Sequence, residues 1–183
     1  MGKEPEAPDA PAGQTRVVEA ERLGGPNALD FWLGEWACSW DGGHGRNRVT
    51  RELDGRVVVE RFESEAPERW SGMSVNVHDD RRGWRQTWVD STGNYWAFEG
   101  APHPEGFAFS TTEHEDGRDV EKRMVFSDIG PDAFSWRWER SADGGRTWEV
   151  LWTIDYGREA MKRQERQGRG QRHDPGRIVD RGG

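Results

Sequence analysis

The stretch Pro26-Asn27-Ala28-Leu29-Asp30-Phe31-Trp32-Leu33-Gly34-Glu35-Trp36 decides the fold, because the hydrophobic period changes inside it. Up to Leu33 the apolar residues Leu29, Trp32 and Leu33 share one helical face and Asn27 is placed to cap it, so one or two helical turns are expected. From Gly34 to Tyr156 apolar and polar residues alternate in short runs bounded by Gly, Asp, Asn or Pro, the pattern of antiparallel strands joined by tight turns. The alternation predicts strands at 35 to 41, 45 to 53, 56 to 64, 69 to 79, 84 to 90, 95 to 100, 106 to 113, 119 to 127, 133 to 140 and 147 to 156. Turn residues such as Asp41-Gly42-Gly43, Asp54-Gly55, Ser91-Thr92-Gly93-Asn94, Asp116-Gly117 and Gly130-Pro131-Asp132 separate them at hairpin length. A meander of that length removes its exposed edges by closing on itself. The expected fold class is therefore all-β, an antiparallel up-and-down barrel of about ten strands with a short N-terminal helix.

Composition sets the limits of the folded part. The chain has 183 residues, of which 32% are hydrophobic and 33% charged, but 11 Trp and 7 Phe supply much of its apolar area. Every Trp lies between Trp32 and Trp152, so one barrel domain is expected over 23–157. Residues 1–22, rich in Pro, Ala and Glu, read as a solvated arm, and residues 158–183 read as a basic tail, partly helical and then disordered. The tail holds eight Lys/Arg against four Asp/Glu and the arm three against five, which leaves the barrel at −10 within an overall charge of −8. A domain that acidic does not present the basic face that nucleic acid requires. Cys38 is the lone cysteine, which excludes an intrachain disulfide, and no apolar run approaches the length of a membrane helix. A cytoplasmic protein without membrane association is expected, and its mostly charged outer strand faces point to a monomer or homodimer.

Gly34-Glu35-Trp36 resembles the Gly-x-Trp signature at the first strand of lipocalins and their calycin relatives. In those proteins a short helix precedes the signature and its Trp packs across one end of the barrel. The runs Asp30 to Trp36, Gly45-Arg46-Asn47-Arg48 and Trp84-Arg85-Gln86-Thr87-Trp88-Val89-Asp90-Ser91 are similar to a bacterial family of uncharacterised lipocalin-like proteins, over about residues 28–156. That likeness implies the barrel and no particular activity. A more distant resemblance to nitrobindin-like proteins implies haem bound by a proximal His late in the chain, yet 115–172 contains no His, leaving His78 or His114 for that role. Ser141-Ala142-Asp143-Gly144-Gly145-Arg146-Thr147-Trp148 matches the Asp-box pattern of sialidase propellers. A single copy reads as a hairpin stabiliser, with Asp143 bonding its own turn and Trp148 packing the corner.

Strand alternation fixes which residues point inward, since a slip of one residue would expose the large rings. Val58, Glu60 and Phe62 share a face, as do Trp84, Gln86, Trp88 and Asp90; so do Phe134, Trp136 and Trp138, and Trp148, Val150, Trp152 and Ile154. Asn47 falls in phase with Val49 and Leu53. A carboxyl group among indole rings loses hydration, which raises its pKa and equips it as a general acid or base, so Glu60 and Asp90 are the candidate catalytic residues. Their structural reading is pairing with Arg51, Arg85 or turn amides at a rim, and Asp90, beside Ser91-Thr92-Gly93, fits a turn role. Asn47, Gln86, Trp88, Tyr95, Trp136, Trp138 and Trp152 are the candidate ligand-binding residues. The five His show no metal-ligand spacing, and there is no phosphate loop, serine elbow or Cys and His pair.

Two functions from different classes follow. One is a binding module holding a small hydrophobic or aromatic ligand in a Trp-lined pocket. The other is a cyclase, isomerase or lyase of secondary metabolism, with no cofactor and no metal, that moves a proton with Glu60 or Asp90 in the same pocket. Haem-dependent chemistry is the third alternative.

Overall fold

The computed structural model describes residues 24–158, and these form a closed ten-stranded antiparallel barrel. The strands are β1 (Gly34–Trp40), β2 (Gly43–Glu52), β3 (Val57–Ala66), β4 (Trp70–Asp79), β5 (Gly83–Asp90), β6 (Tyr95–His103), β7 (Gly106–Glu115), β8 (Arg118–Ser127), β9 (Ala133–Ser141) and β10 (Glu149–Arg158). Each pairs with its neighbour in sequence, and β1 closes the wall against β10 through Trp36↔Arg158, Ala37↔Gly157, Cys38↔Tyr156 and Ser39↔Asp155. No helix among the described residues is long and apolar enough to cross a membrane. The expected arm 1–22 and all but the first residue of the expected tail lie outside the described residues; that first residue, Arg158, ends β10.

The expected short helix is a single 3-10 turn, Asp30–Trp32, and Asn27 does not cap it by its side chain. Successive bonds of i to i+3 spacing, Ala28 N–H to Gly25, Asp30 to Asn27, Trp32 to Leu29 and Leu33 to Asp30, wind the segment too tightly for an α-helix. Leu29 and Trp32 thereby enter one end of the barrel, where Trp32 packs edge-on against Phe126 at 5.1 Å and Phe31 against Phe126 and Phe134. The plug is tied to the wall by ion pairing of Arg51 with Asp30, by Arg158 Nη1 donating to Leu33 O at 2.6 Å, and by Trp84 Nε1 donating to Gly25 O at 3.0 Å. Trp36, 1% exposed, donates from Nε1 to Trp32 O at 2.8 Å and packs edge-on against Phe134 at 4.8 Å, while the Arg158 guanidinium covers its ring at 3.9 Å.

Three residues of the expected inward set, Leu53, Trp148 and Val150, point elsewhere. Leu53 belongs to the β2–β3 turn, where φ of 49° at Leu53 and 55° at Asp54 carries the chain through the left-handed region, and it is 74% exposed. Val150 faces outward because a bulge between Val150 and Trp152 pairs Val150 with Glu139 and Trp152 with Trp138, so the phase of β10 reverses at Leu151. Trp148 precedes β10 and packs the corner: its Nε1 donates to Gly145 O at 3.0 Å and Arg123 lies 3.7 Å over its ring. The Asp-box octapeptide is a turn device, since Asp143 Oδ1 accepts from the amides of Arg146 and Thr147 and Oδ2 accepts from the Thr147 hydroxyl at 2.7 Å. The outer wall also departs from the mostly charged face expected. On β3 to β5, Val57, Val59, Met73, Val75, Val77 and Val89 all lie on the outside, paired side by side as Val57↔Val77, Val59↔Val75 and Met73↔Val89.

Trp36→Ala removes the ring that joins plug, β1 and β10, and is expected to lower unfolding free energy by about 3–5 kcal/mol in urea denaturation, whereas Trp36→Phe, which keeps most of the packing, should lose only about 1–2 kcal/mol. Asp143→Ala should abolish hydrogen-exchange protection of the Arg146 and Thr147 amides without changing protection in β3 or β4.

Candidate functional site

Beyond the plug several inward rings meet between strands that are not neighbours, as Trp70 of β4 with Trp152 of β10 and Trp96 of β6 with Trp138 of β9, and a cavity of about 390 Å³ remains among them. Its wall is tryptophan: Trp70 on β4, Trp88 on β5, Trp96 on β6, Trp136 and Trp138 on β9 and Trp152 on β10. Trp152 lies at the centre of one arc, edge-on to Trp136 at 5.6 Å and tilted on Trp70 at 6.2 Å, and Trp70 in turn meets Trp88 at 6.5 Å. Trp96 of β6, beside Trp88, and Trp138 of β9 stack at 5.1 Å with their planes 15° apart. Trp32 of the plug forms the floor, and Phe62, Phe98, Met124, Ile154 and Tyr156 fill the spaces between the indoles. The mouth lies at the opposite end, where exposed Glu68 of the β3–β4 turn and Thr92 and Asn94 of the β5–β6 turn line it.

Glu60, on β3 and 6% exposed, is the carboxyl group within this aromatic lining. Its Oε1 accepts from Asn47 Nδ2 at 2.7 Å and its Oε2 from Ser74 Oγ at 2.7 Å. Behind Ser74, Asn76 Nδ2 donates to Ser74 Oγ at 2.9 Å and to Val58 O at 3.0 Å, and Gln86 Nε2 donates to Asn76 Oδ1 at 2.7 Å. A chain of polar side chains thus crosses β2, β3, β4 and β5 at one level of the barrel. Burial pushes the Glu60 carboxyl up to about 7, against the opposing pull of the Ser74 and Asn47 bonds. The Tyr156 phenol, also buried, is raised well above its ordinary value by the same desolvation and by the Cys38 and Glu60 groups beside it. Both Asn47 Oδ1 and Gln86 Oε1 are buried without a hydrogen-bond partner among the described residues, as is Trp32 Nε1.

Asp90 is a different kind of carboxylate. Burial raises its pKa, but the Thr92 hydroxyl at 2.6 Å, the Asn94 amide side chain at 2.9 Å, the Asn94 backbone N–H and Trp88 Nε1 all donate to it and hold it well below the usual carboxylate range. It shapes the β5–β6 turn and stays ionised at the rim of the cavity. Opposite it, Lys122 lies 5.6 Å from the Trp96 ring centroid and is paired with Glu113 and Glu115 at 2.5 Å each.

The structure brings Glu60, Asp90, Trp88, Trp136, Trp138 and Trp152 to one cavity. Asn47 and Gln86 stand behind it as the ends of the polar chain. Tyr95 is not with them: Trp96 and Phe98 take the inward phase of β6, so Tyr95 points out beside Val89 and is 65% exposed. Sequence reasoning missed Ser74 and Asn76. On β4 the apolar residues Met73, Val75 and Val77 face outward and the small or polar Gly72, Ser74 and Asn76 face inward, so hydrophobicity selects the wrong face. The signal that finds them is pairing, since Ser74 sits opposite Glu60 on one side and Trp88 on the other. Gly72 belongs to the same device: a Cβ there would meet the Trp88 ring at 2.1 Å, so the absence of a side chain lets that indole lie against β4.

No histidine lines the cavity. His78 packs edge-on against Trp84 at 5.5 Å and His114 pairs with Asp119 on the exposed β7–β8 hairpin, so these residues do not fit a histidine-ligated haem in this cavity. No group of three or more His, Cys, Asp or Glu placed to hold a metal occurs among the described residues. No protein-family model matches the chain, and no curated protein matches it.

Proposed function

We propose that the protein binds a small, largely apolar or aromatic molecule inside the barrel. The observation that carries this reading is the 390 Å³ volume walled by six indoles and opening at polar turns. A barrel whose rings had only to fill space would close that volume, because voids forfeit dispersion contacts and cost stability. The size and lining are those of a pocket for a compact organic molecule, apolar with a few polar groups fixed in place. Changes in tryptophan emission on titration with small aromatic and aliphatic compounds test it directly. Trp152→Leu, which removes the ring at the centre of one arc, should weaken such a ligand about tenfold by the same readout.

A second reading, an acid–base enzyme without a cofactor, is favoured by one observation: Glu60, held at about 7, exchanges its proton near neutral pH. Glu60→Gln separates the two. A carrier of neutral ligands keeps its affinity within about threefold, whereas an acid–base enzyme still binds and loses turnover by about two orders of magnitude or more. The same variant reports on the fold. Glu60 rises from 4.5 in its ordinary state to about 7 in the barrel, so between those values the native protein holds a proton the unfolded chain has released. The stability tied to that proton is complete below the lower value and is lost as pH rises through the upper one, a loss on the order of 3 kcal/mol. Measured by denaturation at pH 4 and pH 8, the stability of Glu60→Gln relative to the parent should therefore improve by about 3 kcal/mol at the higher pH.

A further inference from the structure

We infer that the cavity selects organic cations, a protonated or quaternary amine on a compact apolar body, with the charge caged by indole faces and balanced by Glu60. The inference rests on the cavity being a binding site and concerns which chemistry it takes. Three observations carry it. Every ionisable side chain in the lining except the Tyr156 phenol is a carboxyl group: Glu60 in the wall, Asp90 and Glu68 toward the mouth, with no Lys, Arg or His among them. The wall is the aromatic type whose negative π face attracts ammonium groups most strongly, and the attraction grows where water is excluded. The protein already uses its rings this way, with Lys122 over Trp96, a lining ring, and guanidinium groups over Trp36 and Trp148. Lys122 is itself neutralised by Glu113 and Glu115, so it does not turn the mouth positive.

The alternatives fit less well. An anionic ligand would meet three carboxyl groups and no counter-charge. A neutral hydrocarbon would leave Glu60 desolvated with nothing gained from its charge, whereas a cation converts that burial into an ion pair in a dry site. The groups facing Glu60 leave it free to answer the ligand. From β2 and β4 it meets the uncharged Asn47 and Ser74, and from β10 the Tyr156 phenol with the Cys38 thiol of β1 beside it. Toward the mouth the lining adds Glu68 and Asp90, which its turn donors keep ionised, and over the lining ring Trp96 lies Lys122, paired with Glu113 and with Glu115, which also pairs with Arg140. A bound cation therefore draws the proton off Glu60, and affinity for a permanent cation must rise with pH through the range in which that carboxyl titrates.

The full-length chain titrated with benzyltrimethylammonium, a permanent cation, and with neopentylbenzene, its uncharged isostere, tests this by tryptophan emission at pH 6 and pH 8. The expected result at pH 8 is cation affinity at least about tenfold above that of the isostere. Cation affinity should also fall about tenfold from pH 8 to pH 6, with little change for the isostere. Glu60→Gln should erase the cation's pH dependence; the dependence itself is read on the unmodified chain, so the test does not rely on that variant folding. If the isostere binds as tightly as the cation at pH 8, or cation affinity does not rise with pH, the cation inference is overturned and the binding reading stands. If neither compound perturbs the emission the cation inference is again overturned, and silence from the wider apolar panel as well would remove the binding reading with it.

Discussion

The ladder between β1 and β10 is the contact on which the rest of this molecule depends. Without it the chain is a twisted sheet with two open edges, and side chains on its concave face remain in reach of water. With it, every second residue of ten strands enters a space that solvent reaches only through the ends. The plug then closes one of those ends, and it does so through the same ladder: Arg158, the last residue of β10, pairs with Trp36, covers its ring and donates to the Leu33 carbonyl. Closure, plug and the first strand are one cooperative unit centred on Trp36. The position of the cavity follows, since only the end remote from Trp32 is left open.

Closure also explains which parts of the fold were legible in the sequence. Strands and hairpins are local matters of turn chemistry and alternation, and the boundaries expected from them fall within a few residues of the ten strands formed. The inward phase was legible where a ring marked it, as for Phe62, Trp88, Trp136 and Trp152. It was not legible where the mark was missing or misleading. On β4 the valines face out, against the outward valines of β3, while Ser74 and Asn76 face in because their partners across the ladders are Glu60, Trp88 and Gln86. Tyr95 is a large ring that points outward because Trp96 and Phe98 hold the interior of its strand. The reversal at Leu151 is a bulge, which alternation read along a single strand cannot register. In each case the deciding fact is the residue on the neighbouring strand.

The site was legible to a similar depth. Glu60 stands out from sequence alone as a carboxyl in phase with rings and is raised as that placement implies, whereas Asp90, expected to rise by the same reasoning, is held low by the donors of the turn it also belongs to. Two carboxyl groups lining one cavity therefore hold different protonation states near neutral pH, one ionised at the rim and one poised in the wall. Whether the rings fill the barrel or line a void was beyond the sequence, because it turns on side-chain rotamers. Trp152 meets its neighbour Trp136 edge-on and reaches Trp70 on β4, and in these rotamers a volume remains among the rings.

The polar chain from Asn47 to Gln86 is a second argument, beside the cavity itself, for reading the interior as a site and not only a core. A layer of valine and leucine at that level would seal β2 to β5 at lower cost, since buried polar networks gain little over apolar packing and lose heavily wherever a group goes unpaired. Here Asn47 Oδ1 and Gln86 Oε1 find no partner among the described residues, at the two ends of the chain, while both oxygens of Glu60 are held by donors. The arrangement fixes one carboxyl group rigidly at the edge of an aromatic cavity and accepts a stability penalty at neutral pH to do so. Purely structural selection would remove that penalty with a single substitution at position 60. A ligand that engages the carboxyl would recover it by mass action on the folded state.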